Sequence, residues 1–415
     1  MDHLIGIGGV GMSALAQALM ALDDDAQTRG SAGVVSGADR LVGTTARASW
    51  PAGLLRLAEA GVKIFPDDGS GVDAAVTRVI VSTAIEDDNP GLVRAKALGI
   101  PVVHRAAALA AALSPFKLVA VAGTCGKSTV TAMLAHALEA CGFDPFAVNG
   151  AAVVGWNGSV RAGRGEYAVA EVDESDRSLT AFKPYAAVIT NASADHYSKE
   201  EMDAVFDAFV KDVPGPVVDG RRARYEADTS LPGAHNRQNA GLALAMAVAL
   251  GADEARARAA LASFPGVERR LQFVGCCDGA DVYDDYAHNP EKLRAMIATL
   301  QDRYAKGVAV LWRPHGYGPL AKMKEALAEM FAAVLRPQDR LVLLPVYDAG
   351  GTADRSVNSD ALAVKVKDSV FTETPDEAVR LLKALAPALG AIVTAGARDP
   401  GLPVMARRLA GKEQT

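Results

Sequence analysis

Cysteine is scarce in this chain, with four residues among 415. Cys276 and Cys277 are adjacent, whereas Cys125 and Cys141 stand apart, so neither a disulfide framework nor the ligand spacing of a zinc site is present. Proteins with few and scattered cysteines are typical of reducing compartments. We therefore expect free thiols and a cytoplasmic location.

Long apolar and long basic runs are also missing. No apolar run reaches the roughly 18 residues of a membrane helix. The first residues, Met1-Asp-His-Leu-Ile, lack the basic stretch and apolar core of a signal peptide. The formal net charge is −6 and no basic block occurs, which disfavours a nucleic acid partner. We expect a monomer or dimer that contacts neither membrane nor nucleic acid.

What the chain does contain is 50% hydrophobic residues, arranged as strand-like patterns that alternate with helix-like ones. This alternation predicts α/β domains with parallel sheets covered by helices. We predict three consecutive domains, at residues 1–113, 114–266 and 267–415. The expected strands are 4–7, 34–36, 63–65, 78–82 and 101–103, then 118–121, 167–171 and 187–190, and finally 282–284, 308–311, 341–344 and 391–394.

A glycine-rich turn follows residues 118–121. Gly123 and Gly126 bracket a short loop, and Lys127 and Ser128 open the next helical pattern. Glycine loops and helix N-termini direct backbone N–H groups at phosphates, while the lysine and hydroxyl suit outer phosphates and Mg²⁺. The glycine spacing is shorter than in the general P-loop. The sequence predicts an ATP site, and a chance turn at a helix start is the alternative.

A second glycine-rich turn, Gly6-Ile-Gly-Gly-Val-Gly11, follows the first predicted strand. It fits the G-x-G-x-x-G pattern that places backbone N–H groups against a pyrophosphate. A dinucleotide-binding domain needs an acidic residue about 20 positions further on. The candidate here, Asp39, lies 28 residues after Gly11. We therefore expect a different nucleotide diphosphate, with NAD as the alternative.

Polar groups also follow the next two predicted strands. Glu171 begins the run Glu-Val-Asp-Glu-Ser-Asp, and His196 ends the run Asn-Ala-Ser-Ala-Asp-His. Open parallel sheets bind ligands at this edge, and Mg²⁺ prefers oxygen ligands. We expect Glu171 to hold Mg²⁺, although acidic residues also favour a helix N-terminus. His196 is a metal ligand, a base or a structural residue.

Further candidates lie later in the chain. Asn236 and Asn239 stand at the start of an alanine-rich helix, where Asn236 is either an N-cap or, with its neighbours, a reader of a purine edge. Arg270 lies where the second and third segments meet and can reach a triphosphate. Asp285 ends a strand and can bind ribose hydroxyls. His315 lies in a polar turn after the following strand.

Taken in order, these motifs resemble the Mur ligases over nearly the full length of the chain. Within that family they are most similar to the ligases that add L-alanine to UDP-N-acetylmuramate, and to a relative that recycles a murein tripeptide. The matching stretches are Gly6-Ile-Gly-Gly-Val-Gly-Met-Ser13, Ser82 to Pro90, His104-Arg105, Gly123 to Thr129, Glu171 to Asp176, Asn191 with Asp195-His196, His235-Asn236 with Asn239, and Asp284 to Pro290.

The resemblance implies a Rossmann-like N-terminal domain for a UDP-linked muramyl sugar, a P-loop-type central domain for ATP and Mg²⁺, and a Rossmann-like C-terminal domain that closes on ATP and places the amine. It implies amide synthesis through an acyl phosphate. The implied residues are Gly8, Gly9, Val10, Gly11, Asp39, Ser82, Thr83 and His104 for the sugar nucleotide; Gly123, Thr124, Gly126, Lys127, Ser128, Thr129, Asn236, Asn239, Arg270, Asp285 and His288 for ATP; Ser128, Glu171 and His196 for Mg²⁺; and Lys127, Glu171, His196, Arg270 and His315 for catalysis.

The chain departs from the family pattern in four places. Cys125 replaces a histidine of the alanine ligases, and Ser128 replaces a threonine. The central domain is short, with only residues 214–232 before the His-Asn motif. The family stretch Pro-His-Arg-Tyr-Ser-Arg reads Pro314-His-Gly-Tyr-Gly-Pro319, without either arginine. Because arginine binds carboxylates and phosphates bidentately, this puts the amine in question; Arg355 is a candidate replacement.

Three interpretations follow from the sequence. The first is an ATP-dependent Mur-type ligase that joins L-alanine, or else another amino acid or a peptide, to a muramyl or similar carboxylate. The second is a nucleotide-binding homologue without turnover, suggested by the short central domain and the lost arginines. The third is a nicotinamide-dependent oxidoreductase, which would explain only the Gly6–Gly11 turn.

Overall fold

A computed structural model of the chain describes residues 1–23, 35–47, 50–173, 178–192, 199–348 and 355–412. The described strands form three sheets, each flanked by helices. No helix within these ranges combines the length and the apolar character needed to cross a membrane.

Sheet one has five parallel strands in the order β3-β2-β1-β4-β5. Because β1 lies in the middle, the glycine-rich turn after it opens beside the ends of β2 and β4. The strands are β1 (Asp2–Ile5), β2 (Val35–Asp39), β3 (Lys63–Pro66), β4 (Arg78–Val81) and β5 (Val102–His104), and the helices are α1 (Val10–Leu22), α2 (Ala52–Glu59), α3 (Pro90–Ala97) and α4 (Arg105–Leu113).

Sheet two has six strands in the order β11-β10-β6-β9-β7-β8, parallel except for β8. Its central strand β6 is buried on both faces, as the apolar run of residues 118–121 predicts. The strands are β6 (Lys117–Ala122), β7 (Phe146–Val153), β8 (Gly158–Arg161), β9 (Tyr167–Glu171), β10 (Ala186–Ile189) and β11 (Val217–Asp219), and the helices are α5 (Lys127–Ala140), α6 (Lys199–Val210), α7 (Ala234–Ala249) and α8 (Glu254–Ala262).

Sheet three has six strands in the order β12-β13-β17-β14-β15-β16, with only β12 antiparallel to its neighbour. Its strands are β12 (Gln272–Cys277), β13 (Ala280–Asp285), β14 (Gly307–Trp312), β15 (Arg340–Leu343), β16 (Ser369–Phe371) and β17 (Leu389–Ala395), and the helices are α9 (Pro290–Arg303), α10 (Tyr317–Val334), α11 (Asp360–Ala363), α12 (Pro375–Leu385) and α13 (Gly401–Leu409).

The chain divides into two compact units. Unit 1 contains Met1–Ser230 and His235–Val267, and unit 2 contains Leu231–Ala234 and Glu268–Thr415. Unit 1 holds sheets one and two, which are tied together where the Gln17 side chain of α1 accepts a 3.0 Å hydrogen bond from the Ser159 N–H of β8. The boundary predicted at residues 113 and 114 falls between α4 and β6 inside unit 1. The domain limits themselves stay predictions.

Each predicted strand overlaps an observed strand, and five observed strands were not predicted. β7 and β12 contain Asn149-Gly150 and Gly275, which interrupt the apolar pattern, and residues of this kind are depleted in strands. β11 and β16 are only three residues long, and β8 is the short partner of β7. The N-cap interpretation of Asn236 is wrong, because α7 already begins at Ala234, directly after Gly233 with its φ of +97°.

Candidate functional site

The Gly123–Gly126 loop joins the end of β6 to the start of α5. Gly123 has φ +129° and Gly126 has φ +86°, a left-handed conformation that favours glycine. A Cβ atom at Gly123 would collide with the Thr190 hydroxyl, and one at Gly126 would lie 2.6 Å from Asn239 Oδ1. Both glycines are therefore required by conformation and by space, and the loop presents its backbone at the N-terminus of α5, as a phosphate site needs.

Thr190 and Asn191, which follow the neighbouring strand β10, hold this loop in place. Cys125 O accepts hydrogen bonds from Thr190 Oγ1 at 2.6 Å and Asn191 Nδ2 at 2.9 Å, and Cys125 N–H donates to Asn191 Oδ1 at 3.0 Å. The Thr124 N–H donates to Asn191 O at 3.2 Å. We did not predict Thr190 and Asn191 as site residues, although their place after a parallel strand next to β6 was a usable signal.

Lys127 and Ser128 occupy the first turn of α5. Lys127 Nζ donates a 2.7 Å hydrogen bond to Gly123 O, so its positive charge lies across the loop. Ser128 and Thr129 are buried beneath it. Together with the helix N-terminus, this arrangement concentrates positive charge and N–H donors where the sequence predicts the phosphates of ATP.

Glu171 lies at the carboxyl end of β9, opposite Val121 of β6 in the strand register. Its Oε2 accepts a 2.8 Å hydrogen bond from the Gly150 N–H of β7. A Cβ atom at Gly150 would overlap this carboxylate, so the glycine leaves room for it. The carboxylate is thereby fixed at the same sheet edge as the phosphate loop. Ser128 and Glu171 carry oxygen atoms of the kind that Mg²⁺ prefers, and their role as its ligands stays a prediction.

Asn236 and Asn239 lie in the first turns of α7 and are both buried. Asn239 Nδ2 donates to Asn236 Oδ1 at 3.3 Å, and Asn239 packs against Gly126. Asn239 therefore adjoins the phosphate loop and contacts Asn236, and the predicted contact of both with adenine stays a prediction.

At the edge of sheet one, the Gly6–Gly11 turn is braced by Asp39 at the end of β2. Asp39 Oδ2 accepts from the Gly8 N–H at 2.8 Å, and Oδ1 accepts from the Leu41 N–H at 3.0 Å. A Cβ atom at Gly8 would lie 2.6 Å from the Asp39 carboxylate. Asp39 thus holds the turn, and both of its oxygens are engaged with backbone, which argues against the ribose contact of an NAD site.

Other sugar-side candidates lie around this turn. Ser82 and Thr83 directly follow β4, beside β1. His104 ends β5 and caps α4, since its Nδ1 accepts from the Ala106 N–H at 3.3 Å. Arg105, which we did not assign, lies with its guanidinium against Gly11, because a Cβ there would be 3.0 Å from Arg105 Nη1. A cation at the start of α1 suits a diphosphate.

In unit 2, two aspartates end β13 in buried positions. Asp284 accepts from Arg269 Nε at 3.1 Å and from Thr394 Oγ1 at 2.6 Å, and burial raises its pKa to about 6. Asp285 accepts from the Leu271 N–H at 2.6 Å and the Ala287 N–H at 2.7 Å.

Burial raises the pKa of Asp285 as well, while the charge of Arg270 opposes the change. The Arg270 guanidinium lies 5.8 Å from the centre of the Tyr286 ring. The predicted ribose contact of Asp285 and phosphate contact of Arg270 stay predictions, since Asp285 is engaged with backbone N–H groups.

His288 and His315 come together at the edge of sheet three. Their ring centres are 4.9 Å apart at 73°, and His288 Nδ1 lies 2.9 Å from Tyr286 O. Burial, followed by the nearby charges of His288, Arg398 and Lys292, lowers the pKa of His315 to about 4. His315 is therefore a neutral imidazole at neutral pH.

The predicted metal ligand His196, with Asp195, lies outside the described residues. So do Glu174, Ser175 and Asp176 of the acidic run after β9. Within the described ranges, no group of three or more histidine, cysteine or acidic residues forms a metal site. The part of the predicted magnesium site that the structure describes thus consists of Ser128 and Glu171.

The residues that follow β11 take part in an ion-pair network with α6. The Arg221 side chain is 8% exposed and bonds to Asp203, Asp207 and Asp219 at 2.7–3.0 Å. Asn191, Asp203, Asp207, Arg221 and Arg222 line a cleft of about 400 Å³ beside the loop that Asn191 holds. The arginines after β11 therefore anchor this edge of the sheet to α6.

Comparison with known proteins places this chain among characterised sequences. Family descriptions match in three successive regions: "Mur ligase family, catalytic domain" at residues 50–117, "Mur ligase middle domain" at 121–211, and "Mur ligase, glutamate ligase domain" at 269–398. The matches follow the order of the three sheets and leave out the first glycine-rich turn.

Curated relatives extend this similarity along the chain. A UDP-N-acetylmuramate–L-alanine ligase of Sinorhizobium fredii is 31% identical over 95% of this chain and 92% of its own length. One from Nitrobacter winogradskyi is 34% identical over 86% and 85%. The solved UDP-N-acetylmuramate–alanine ligase of Thermotoga maritima has the same fold, with a TM-score of 0.79 at 24% identity and coverage of 99% and 98%.

Proposed function

The chain belongs to the Mur ligase family, and from this premise we propose that it joins an amine to the carboxylate of a UDP-linked muramyl sugar through an acyl phosphate. It is an ATP-dependent, ADP-forming amide ligase of peptidoglycan precursor synthesis. The donor is UDP-N-acetylmuramate and the amine is L-alanine, with another amino acid or a peptide as the alternative. The reaction takes place in the cytoplasm.

The observation that carries the proposal is the shared sheet edge of unit 1. The phosphate loop after β6, the Glu171 carboxylate after β9 and the bracing residues after β10 lie on three neighbouring parallel strands. Open α/β sheets bind nucleotides at this edge. Lys127 and the N–H groups at the start of α5 would neutralise and orient the triphosphate.

The chemistry requires activation, because a free carboxylate has no adequate leaving group for attack by an amine. A carboxylate oxygen attacks the γ-phosphorus of ATP, and ADP leaves. The amine nitrogen then attacks the acyl carbon, phosphate leaves, and the nitrogen loses a proton. The protein's part is positioning and charge neutralisation. Mg²⁺, held by Ser128 and Glu171, would supply further neutralisation of the phosphates.

On the sugar side, the Gly6–Gly11 turn and the start of α1 would receive the diphosphate of the UDP-sugar. Asp39 holds the turn by its bonds to Gly8 and Leu41. The guanidinium of Arg105 beside Gly11 would add a charge-assisted contact to a phosphate oxygen. Ser82, Thr83 and His104 lie on the loops that surround this turn.

An assay of phosphate release tests the proposal. The protein is incubated with ATP, Mg²⁺ and UDP-N-acetylmuramate, amino acids are added one at a time, and the product is identified by mass. We expect phosphate and the amide product with L-alanine. Product with another amine only would replace L-alanine and keep the ligase, whereas no phosphate with any amine would leave a nucleotide-binding protein without turnover.

Lys127→Ala should lower turnover by about 10²-fold or more, because a preorganised positive charge is lost from the phosphates. Lys117→Ala is the matched control, since Lys117 lies at the opposite end of β6 and pairs with Glu166 at the surface. Its turnover should equal that of the wild type. Equal turnover in the Lys127 variant would place the ATP phosphates elsewhere.

A further inference from the structure

Three loops meet at the carboxyl edge of sheet three. The register pairs Ala395 of β17 with Asp285 of β13 on one side and with Trp312 of β14 on the other. The loops after these strands carry His288, Arg398 and His315. Since the three strands are adjacent and parallel, their side chains share one edge.

Four described aspartates at this edge are already engaged within the protein. Each accepts hydrogen bonds from a neighbouring arginine or from backbone N–H groups, which occupies its oxygens. The pairs are Asp284 with Arg269, Asp399 with Arg313 at 2.8 Å and with the Gly401 N–H at 2.7 Å, Asp348 with Arg355 at 2.8 Å, and Asp285 with the Leu271 and Ala287 N–H groups.

Arg398 differs from these arginines. It is exposed, has φ +65°, and forms neither an ion pair nor a hydrogen bond through its side chain with any described residue. A long side chain rarely adopts this backbone conformation, which glycine adopts without cost. The loop therefore presents a guanidinium without a partner among the described residues, from a position where a glycine would be less strained.

A second cation and an imidazole lie near Arg398. Lys292, in the first turn of α9, also makes no ion pair with the residues that the structure describes. The charges of Arg398 and Lys292 contribute to the lowered pKa of His315, which keeps this imidazole uncharged. A guanidinium that forms no ion pair in the described part of the chain, beside a neutral imidazole, suits a ligand that carries a carboxylate next to an amine.

We propose that Arg398 binds the carboxylate of the acceptor amino acid, in place of the two family arginines that are missing from the Pro314–Pro319 turn. This inference rests on the proposed function. The neutral His315 beside Arg398 is then placed to accept a hydrogen bond from the acceptor's amino group. Arg355, the replacement suggested by the sequence, is neutralised by Asp348 and does not take this part.

The test compares Arg398→Gly, Arg398→Lys and Arg355→Ala in the phosphate-release assay, with the amino acid that gives the fastest turnover of the wild type. Glycine fits φ +65° better than arginine, so the first variant should fold at least as well as the wild type. We expect it to raise KM for the amino acid about 10- to 100-fold, as loss of a charge-assisted bond predicts. KM for ATP should stay unchanged.

Arg398→Lys should restore part of the affinity, because it returns the charge without the planar fork. Arg355→Ala is the control and should leave KM for the amino acid within about threefold, since its charge is already paired. The α-carboxamide of the same amino acid gives a direct check. The wild type should prefer the acid over the amide, and Arg398→Gly should lose this preference.

Two results overturn the inference while the ligase function stands: an unchanged preference for the acid in Arg398→Gly, or a rise in KM for ATP in place of the amino acid. The second would assign Arg398 to a phosphate. A wild-type protein that releases no phosphate with any amine contradicts the proposed function itself, so the two failures are distinguishable.

Discussion

At the scale of single residues, the backbone of Cys125 is held by two residues that follow β10. Its N–H and C=O groups bond to Asn191 and Thr190, while its thiol is half-buried in the phosphate loop. These bonds use only backbone atoms of residue 125, so they can also form with the histidine that the alanine ligases have there.

This arrangement predicts that a thiol-directed alkylating reagent stops ATP turnover. A bulky group on Cys125 would occupy the space of the phosphates, so turnover should fall to roughly a tenth or less, and ATP should protect. Phosphate release after treatment with iodoacetamide gives the measurement. Cys125→His should be active and resistant.

The control for this experiment is Cys276→Ser, because Cys276 is more exposed but lies on β12, and its bond to Asp281 raises the pKa of its thiol. This variant should stay sensitive to the reagent. Resistance in Cys276→Ser, together with sensitivity in Cys125→His, would move the reactive thiol away from the ATP site.

At the scale of elements, the packing of β7 against β9 positions Glu171. The carboxylate lies against the Cα of Gly150, and its Oε2 accepts a hydrogen bond from the N–H group of that residue. Only a residue without Cβ leaves this space. A strand that the sequence did not predict thus fixes a side chain that it did predict.

Gly150→Ala should therefore displace the Glu171 carboxylate and raise the Mg²⁺ concentration needed for half-maximal turnover about tenfold or more. Glu171→Gln should have a similar effect, because it removes the ligand charge. If both substitutions act through the same carboxylate, the double variant should need no more Mg²⁺ for half-maximal turnover than the more impaired of the two single variants.

Turnover measured against Mg²⁺ concentration in the wild type and all three variants gives a double-mutant cycle. Fully additive effects would mean that Gly150 acts through the fold and not through Glu171. A melting temperature for each variant separates loss of metal affinity from loss of folded protein.

At the scale of the whole molecule, a buried histidine couples unit 1 to pH. His3 lies on β1 with its Nδ1 2.9 Å from Ser36 Oγ, and its Nε2 has no hydrogen-bond partner in the described part of the chain. Burial lowers the pKa of His3 from 6.5 to about 4, although the charges of Asp73 and Asp67 oppose this. The folded state thus holds a neutral imidazole.

The sign follows from linkage. Below pH 6.5 the unfolded chain binds a proton at His3, while the folded chain does not until about pH 4. The titration of His3 therefore leaves the free energy of unfolding unchanged above pH 6.5. As the pH falls from 6.5 to 4, it lowers the free energy of unfolding by about 3 kcal/mol in total. His3→Gln cannot be protonated and should lack this part of the acid dependence.

Hydrogen exchange of the β1 amides between pH 7 and 4, corrected for the intrinsic rate, measures the local free energy of opening. The wild type should lose stability faster than His3→Gln over this range. Parallel curves for the two proteins would show that the imidazole is equally basic in both states.

Some strands and site residues could be predicted from the sequence, and others could not. The buried strands β6, β14 and β17 were predictable because continuous apolar runs bounded by turns indicate central parallel strands. β7, β8 and β12 were not, because their strand character comes from pairing with neighbours and not from local propensity. The same holds for Arg105, which adjoins Gly11 only through the order of strands in sheet one.

The sequence by itself determined the α/β class, the two glycine-rich turns and the Mur ligase family, since these depend on local patterns and on motifs in a fixed order. Only the tertiary structure decided which charged groups are already paired. Asp39 and Asp285 accept hydrogen bonds from backbone N–H groups, Arg355 pairs with Asp348, and Arg398 forms no ion pair within the described ranges. The reason is physical: whether a charge is available for a ligand depends on neighbours that are distant along the chain and adjacent only in the fold.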